Sequence, residues 1–322
     1  WALEQFTGLA KTMAGKTGIV AAPLFHMNGQ FHLLNMLSVG ARVVLMKSFS
    51  ARGMLDAISA HGVTRVTGVP TMAALMAEEI EKGRPSNTHC VTQVGLGSSP
   101  LSHHLLDRIQ TAFPNAAITN GFGTTETGPA SFGAHPDGVP TPPTSLGYPM
   151  PGVELKLVEG QTSNDGVLHI RNPMTLKSYW RRPQASAERI DADGWYKTGD
   201  RMRRDAQGFY YFVGRADDMM QVGAENVYPA EVERLLEHHP AVAEAVVLAV
   251  QHATKNEAPV AFVVSDKTVS EADLKAFALA EGPAYAHPRR IFFVDELPLA
   301  STNKVDRKRL AETALEQLGG SL

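Results

Sequence analysis

Cysteine is almost missing: Cys90 stands alone among 322 residues. One thiol excludes an internal disulfide and a cysteine-based zinc site, and it points to a reducing, cytoplasmic setting. Basic excess is missing as well. Thirty Lys and Arg face 33 Asp and Glu, a net charge of −3, so neither nucleic acid nor a membrane surface is an indicated partner. No apolar run approaches the roughly 18 residues of a membrane span. The opening stretch WALEQFTGL carries no basic-then-apolar leader and reads as helix, so Trp1 looks like the interior of a longer protein. The 28 Gly and 20 Pro follow no period, which excludes collagen-like and low-complexity chains.

What remains is an ordinary globular composition, 43% hydrophobic and 20% charged, with enough apolar surface for a core. At about 150 residues per domain the length suggests two domains. Short apolar runs at residues 18–24 and 41–46 read as buried strands, 63–69, 92–96 and 117–120 as further strands. Residues 53–61, 71–82 and 101–113 have helical periodicity. This alternation implies an α/β layer with a largely parallel sheet over residues 1–136. Residues 137–150, rich in Pro, Gly and Thr, read as a long surface connection.

The texture then changes. Residues 153–158 and 167–171 alternate apolar and polar around Asn164, Asp165 and Gly166, as in a half-exposed hairpin. With a strand at 208–213 they give a β-rich subdomain over 150–214, a small antiparallel sheet or barrel. Beyond Gly214 the order is a Pro-opened helix at 229–238, strands at 245–250 and 259–264, a helix at 270–281, a strand at 291–294 and a helix at 307–317. Ser270 and Asp273 resemble a capping box for the helix at 270–281. Residues 215–322 thus form a small α+β domain following the large one of residues 1–214.

The stretch AKTMAGKT at residues 10–17 fits a loose phosphate-loop pattern, but a helix precedes it and a strand follows. That reverses the order needed to aim a helix N-terminus at phosphates, so an exposed turn is the better reading.

Four segments carry chemistry. In NGFGTTE (residues 120–126), small residues admit a ligand to the backbone, Thr124 and Thr125 can donate to phosphate oxygens and Glu126 can hold Mg²⁺. In DGWYKTGD (193–200), Asp200 can accept from vicinal ribose hydroxyls. In GRADDMMQVGAENVYPAE (214–231), Arg215 and the acidic residues after it sit at the texture change, as a hinge or as a surface ion pair. In LPLASTNKVDR (297–307), Lys304 lies on a polar loop that can present its ammonium to an anion.

In this order, together with PLFH (23–26), GSSPL (97–101) and GYPMPG (147–152), the segments resemble the adenylate-forming, AMP-binding family of acyl- and aryl-CoA synthetases. Within it, GAENVYPAEVE and the Asn303-Lys304 pair are similar to the aryl side, such as 4-chlorobenzoate–CoA ligase; FHMNGQ resembles crotonobetaine/carnitine–CoA ligases. The resemblance implies ATP-dependent adenylation of a carboxylic acid followed by thioester formation with CoA, with Mg²⁺ bound at Glu126. It implies that Phe122 stacks on adenine, with Ser98, Ser99, Gly121 and Gly123 around the nucleotide. Thr124 and Thr125 are implied at the α-phosphate and acyl carboxylate, Asp200 and Arg215 at the ribose, and Lys304 between carboxylate and phosphate. Asp217 matches the hinge about which the small domain swings. Gly223, Ala224, Glu225, Asn226 and Arg289 fall on the CoA side, and His26, Met27, Gly29, Thr71 and Gly97 on the acyl pocket.

Three departures accompany it. The family's Ser/Thr/Gly-rich phosphate loop, expected shortly before Trp1, is not in the chain, so a fragment of a larger enzyme is expected. Asn303 replaces the usual Gly, which Asn tolerates because it adopts left-handed geometry. His287 replaces a basic residue before Pro288, leaving Lys255, Arg289 and Arg290 as candidate CoA contacts. The paired histidines at 103–104 and 238–239 read as surface. Two alternatives stay open: a non-catalytic adenylate-binding protein, and an adenylating enzyme that serves an acceptor other than free CoA. A homodimer is the assembly considered.

Overall fold

The structure is a computed structural model that describes residues 15–99, 101–223, 225–252, 256–265 and 268–319. The chain divides into two compact units: Trp1–Leu101, Leu105–Thr198 and Arg203–Tyr211 in the first, and Ser102–His104, Gly199–Met202 and Phe212–Leu322 in the second.

The first unit is built on five strands, β1 (Thr17–Val20), β2 (Arg42–Leu45), β3 (Arg65–Gly68), β4 (Gln93–Gly97) and β5 (Ala117–Gly121), in the order β2-β1-β3-β4-β5. All four pairings are parallel. Helices α1 (Met27–Ser38), α2 (Ala51–His61), α3 (Pro70–Glu81) and α4 (His103–Ala112) connect them. Because strand side chains alternate, neighbours serve opposite faces. Ile19, Val66, Val94 and Leu96 bury against Met54, Leu55 and Ile58 of α2, Met72 and Met76 of α3, and Ile109 of α4. Each fully buried aliphatic or Met side chain there contributes about 1.5–3 kcal/mol. Gly18 serves the other face, where a Cβ would stand 2.0 Å from the Met36 methyl of α1. Ser50 caps α2 by accepting from Gly53 N at 3.2 Å, an interaction worth about 1 kcal/mol.

Several expectations are corrected here. The strand at 18–24 stops at Val20. Residues 21–26 turn instead into α1, a helix that the mixed sequence MNGQFHLLNMLS does not announce. Strand β2 is the sheet's edge rather than a buried strand, with Arg42 and Leu45 exposed. The connection at 137–150 is not all surface: Ser145 and Leu146 are buried. Ser145 Oγ donates to Tyr210 O at 3.1 Å and Leu146 N donates to the same carbonyl at 2.8 Å.

Short strands β6 (Phe132–Gly133) and β7 (Tyr148–Pro149) pair with each other. Then come β8 (Glu154–Val158), β9 (Asp165–Arg171), helix α5 (Pro183–Arg189), β10 (Tyr196–Arg204) and β11 (Tyr210–Arg215). The hairpin β8–β9 is antiparallel as expected, Glu154 facing Arg171 and Val158 facing Val167. The sheet runs β11-β10-β9-β8, an open path among the described residues rather than a closed barrel. Strand β10 and helix α5 are additions to the elements expected from the sequence.

The second unit has strands β12 (Met220–Val222), β13 (Glu225–Val227), β14 (Val242–His252), β15 (Asn256–Ser265) and β16 (Arg290–Phe293), and helices α6 (Pro229–Glu237), α7 (Glu271–Glu281) and α8 (Arg307–Leu318). Its sheet runs β13-β12-β15-β14, with β16 also on β15. Val247, Ala261 and Val263 bury against Val232 and Leu236 of α6 and Leu274 and Ala278 of α7. On the opposite face Val246, Val260 and Phe262 bury against Leu310 and Ala314 of α8. Ser270 and Asp273 do form the capping box of α7. Among the described residues no helix is long and apolar enough to cross a membrane.

Candidate active site

In the first unit, the residues singled out by sequence gather at the carboxyl ends of the parallel strands. Residues after β1 (His26, Met27, Gly29), after β3 (Thr71), at the end of β4 (Gly97, Ser98, Ser99) and after β5 (Gly121 to Glu126) all lie there. Open parallel α/β sheets bind ligands at this edge, where strand ends give way to loops without disturbing the core.

Gly97 and Gly121 face each other in register across β4 and β5. A Cβ on Gly97 would meet the Gly121 carbonyl oxygen at 2.7 Å. Ser98 then takes a left-handed backbone, φ 68, and Ser99 Oγ donates to Ser98 O at 2.8 Å. The segment leaving β5 is a closed turn. Gly128 N donates to Thr124 O at 2.8 Å, and Ser131 N donates to Phe122 O at 3.0 Å. Thr127 N donates to Thr124 Oγ1 at 3.1 Å, and the Thr124 and Thr127 hydroxyls lie 2.9 Å apart. Gly123 is required there, since a Cβ would stand 2.4 Å from Gly128 O. Thr124 is thereby committed partly to holding the turn, whereas Thr125 is exposed.

Glu126 is fixed from both ends. Its carbonyl accepts from Leu176 N at 2.7 Å, and its Oε1 accepts from the Tyr179 phenol at 2.9 Å. Burial raises the pKa of Tyr179, and burial together with the Tyr179 contact raises that of Tyr196. Both phenols therefore stay neutral donors. Among the described residues Oε2 of Glu126 has no hydrogen-bond partner. One oriented carboxylate oxygen fits Mg²⁺, which takes one or two protein carboxylates beside substrate phosphates and water. No group of three or more His, Cys, Asp or Glu side chains that could hold a metal ion occurs among the described residues.

Tyr179 escaped the sequence reading, because KSYWRRP offers no spacing that ties it to Glu126. Asn120 escaped too: its Nδ2 donates to Thr144 O at 3.0 Å, leaving Oδ1 inward-facing without a partner. On the acyl-pocket side, Gly29 lets α1 approach the preceding loop, where a Cβ would meet Pro23 O at 2.5 Å. His26 precedes α1, with Nε2 buried and unpartnered. His32 of α1 is pushed down to about 3 by burial and by Arg65, so it is neutral through the physiological range.

In the second unit, Arg215 joins two of the residues predicted with it. Its Nε and Nη2 each donate to Asp217 at 2.8 Å, and Nη1 donates to the buried Asp200 at 3.1 Å. The Asp217 fork and the Asp200 charge raise the guanidinium's pKa, outweighing partial desolvation. Ala216 N donates to Gly199 O at 2.8 Å, tying the same strands together.

Lys304 sits on a tight hairpin. Ala300 N donates to Lys304 O at 2.8 Å, Asn303 N donates to Ala300 O at 2.9 Å, and Leu299 bridges Val305. Asn303 takes the left-handed conformation, φ 60. Partial desolvation lowers the lysine pKa. Gly223, Glu225 and Asn226 lie on the exposed β12–β13 hairpin, Gly223 at φ 67; Ala224 lies outside the described residues, as do Lys255 and most of the 10–17 stretch. Arg289 turns back onto the His287 ring, and Arg290 pairs with Glu271 at 3.3 Å. The histidine pairs are not all surface: His104 has a buried, unpartnered Nδ1. His239 accepts from Ala241 N at 3.2 Å and meets Phe277 edge-on.

Residues 3–180 match the family model for AMP-binding enzymes, and residues 231–304 match that for the C-terminal domain of AMP-binding enzymes. A 2-succinylbenzoate–CoA ligase of Bacillus subtilis is 33% identical over 305 residues, which is 93% of this chain and 61% of the relative. The anthranilate CoA ligase AuaEII in complex with anthranoyl-AMP superposes with a TM-score of 0.82 at 27% identity, covering 97% of this chain and 63% of that one. The O-succinylbenzoate Coenzyme A synthetase of Bacillus subtilis, in complex with ATP and magnesium ion, superposes with a TM-score of 0.77 at 30% identity, over 97% of this chain and 66% of that one. The chain thus spans about three-fifths of the length of the curated relative it matches, 61%.

Proposed function

Because the chain belongs to the family of AMP-binding enzymes, we propose that it provides the nucleotide- and acid-binding residues of an acyl- or aryl-CoA ligase acting in the cytoplasm. The observation that carries this reading is the turn after β5, which sets Thr124, Thr125 and a half-occupied Glu126 carboxylate at the open edge of the parallel sheet.

The first half-reaction joins two anions: a carboxylate oxygen of the acid attacks the α-phosphorus of ATP, and pyrophosphate leaves with the electron pair. Lys304 is the fixed cation for that step, its ammonium lying between carboxylate and phosphate. Such preorganised charge stabilises a developing transition state by several kcal/mol, on the order of 3 for one donor. Thr124 and Thr125 donate to the phosphoryl and carboxylate oxygens. Phe122 stacks on the base, with Ser98, Ser99, Gly121 and Gly123 leaving the main chain open around it. Asp200 accepts from the ribose hydroxyls, with Arg215 holding its carboxylate. Mg²⁺, when bound at Glu126, neutralises phosphate charge and orients the leaving group.

The second half-reaction needs a different set of groups at the same carbonyl. The thiol of CoA gives up its proton, its sulfur attacks the acyl carbon, and AMP leaves. We assign Gly223, Ala224, Glu225 and Asn226 to the pantetheine arm and Arg289 to the nucleotide. We further assign Asp217 as the pivot by which residues 215–322 exchange Lys304 for that hairpin, apart from a large domain of residues 1–214. His26, Met27, Gly29, Thr71 and Gly97 line the acid. An aryl acid is the class that the succinylbenzoate and anthranilate relatives suggest.

Pyrophosphate release from ATP and Mg²⁺ over a panel of carboxylic acids, with and without CoA, tests the proposal on the whole protein. Turnover dependent on one acid and on CoA is expected. Adenylate binding without release across the panel would leave the non-catalytic reading. Release in which a carrier protein or an amine replaces CoA would identify another acceptor.

A further inference from the structure

Tyr179 leads into an exposed cationic turn that the site above does not use. Trp180 is 84% exposed, more than any other large hydrophobic side chain among the described residues. Arg181 follows in the left-handed region, φ 55, with its guanidinium 5.5 Å from the Trp180 ring centroid. Arg182 precedes α5 as its N-cap residue. Neither guanidinium has a carboxylate partner among the described residues, and Lys177 beside them is also exposed.

The turn is nevertheless held in place. Arg182 N donates to Tyr179 O at 3.1 Å. Tyr179 N donates to Ser186 Oγ at 2.9 Å, and that hydroxyl donates to Arg182 O at 2.8 Å. Tyr179 itself is anchored on Glu126. A preorganised turn that keeps an indole and two unpaired guanidinia in water has the make-up of a recognition element: an aromatic face takes a nucleobase, and guanidinia take phosphates. A protein partner fits less well. It needs about 800 Å² on each side, and Trp180 is the single exposed large apolar side chain between residues 177 and 189.

We propose that Trp180, Arg181 and Arg182 form a docking platform for the phosphorylated adenosine end of CoA, the base lying on the indole and the phosphates on the guanidinia. The proposal rests on the CoA-ligase reading and gives that reading a nucleotide contact in the first unit, in addition to Arg289.

Adenosine 3′,5′-bisphosphate, which carries this end of CoA without its thiol arm, is the probe. It should quench tryptophan emission in the wild type, and W180F should lose that quenching. By equilibrium dialysis, W180A and the R181A/R182A double variant should each bind it about tenfold or more weakly, as expected for loss of a stacking face or of two phosphate contacts. The KM for CoA should rise in parallel while ATP–pyrophosphate exchange is unchanged. Wild-type affinity for the bisphosphate in both variants would overturn the platform. Retained affinity with lost transfer to an acyl-carrier protein would reassign the turn to an acidic protein partner. If the wild type shows no pyrophosphate exchange with any acid, the ligase reading fails, whereas the dialysis result still decides whether this turn binds the nucleotide.

Discussion

The Tyr179 phenol donates to Oε1 of Glu126 at 2.9 Å, from 53 residues away in sequence. One carboxylate oxygen is thereby used to aim the other. Y179F removes the aiming contact and leaves the ring. Partners of this kind typically change metal affinity by about 10- to 100-fold when lost. A tenfold rise in the Mg²⁺ concentration for half-maximal pyrophosphate exchange is expected, with kcat at saturating Mg²⁺ little changed. An unaltered Mg²⁺ dependence would remove Tyr179 from the site.

The fork from Arg215 to Asp217, with a third bond to Asp200, ties down the side chain of the proposed pivot. A pivot must absorb a large backbone change, and proline fixes φ. D217P is therefore expected to slow thioester formation more than adenylation, measured as two separate half-reactions. Equal losses in both would argue against a pivot at Asp217.

Asn303 occupies a left-handed position, φ 60, directly before Lys304. Left-handed geometry costs an ordinary L-residue roughly 1–2 kcal/mol, whereas Gly adopts it freely and Asn with little penalty. N303G should retain adenylation, whereas N303V should lose it by about tenfold. Equal activity in the two variants would show that the hairpin does not position the lysine.

Glu237, half-buried and close to Glu233 and Glu244, is pushed up to about 8, burial being the larger cause. The unfolded carboxyl titrates near 4.5. Between these values the folded state holds the extra proton, so stability falls as pH rises from 4.5 towards 8. Denaturant midpoints at pH 5.5 and 8 should separate for the wild type, and the gap should narrow in E237Q. A wild-type curve that is flat across this range would mean that Glu237 is ionised in the fold.

Much of this molecule is legible in its sequence because the signals are local. Strand-to-loop transitions such as LGSS and NGFGTTE mark the sheet's carboxyl edge, and Ser270 with Asp273 announces a helix start that the fold obeys. Helix α1 was hidden, since MNGQFHLLNMLS has a Gly near its start and leaves Leu34 and Leu37 exposed, so its apolar positions outline no single face. Strand β10 was hidden because its polar residues face outward in a charged run, KTGDRMRR, around a core of Tyr196, Thr198, Asp200 and Met202. At the site, residues within one motif could be grouped by spacing. Tyr179 could not, because only the closing of the chain around Leu176 and Glu126 brings it within reach.

Gly97 and Gly121 confront each other across two adjacent strands with nothing but main chain between them. A wall of peptide groups cannot be shifted one side chain at a time, because any side chain at Gly97 displaces the neighbouring strand. Drift at this place is therefore all or nothing. On the proposed function, selectivity for one acid over another would then have to be written in the other residues assigned to the acid, such as His26 and Thr71.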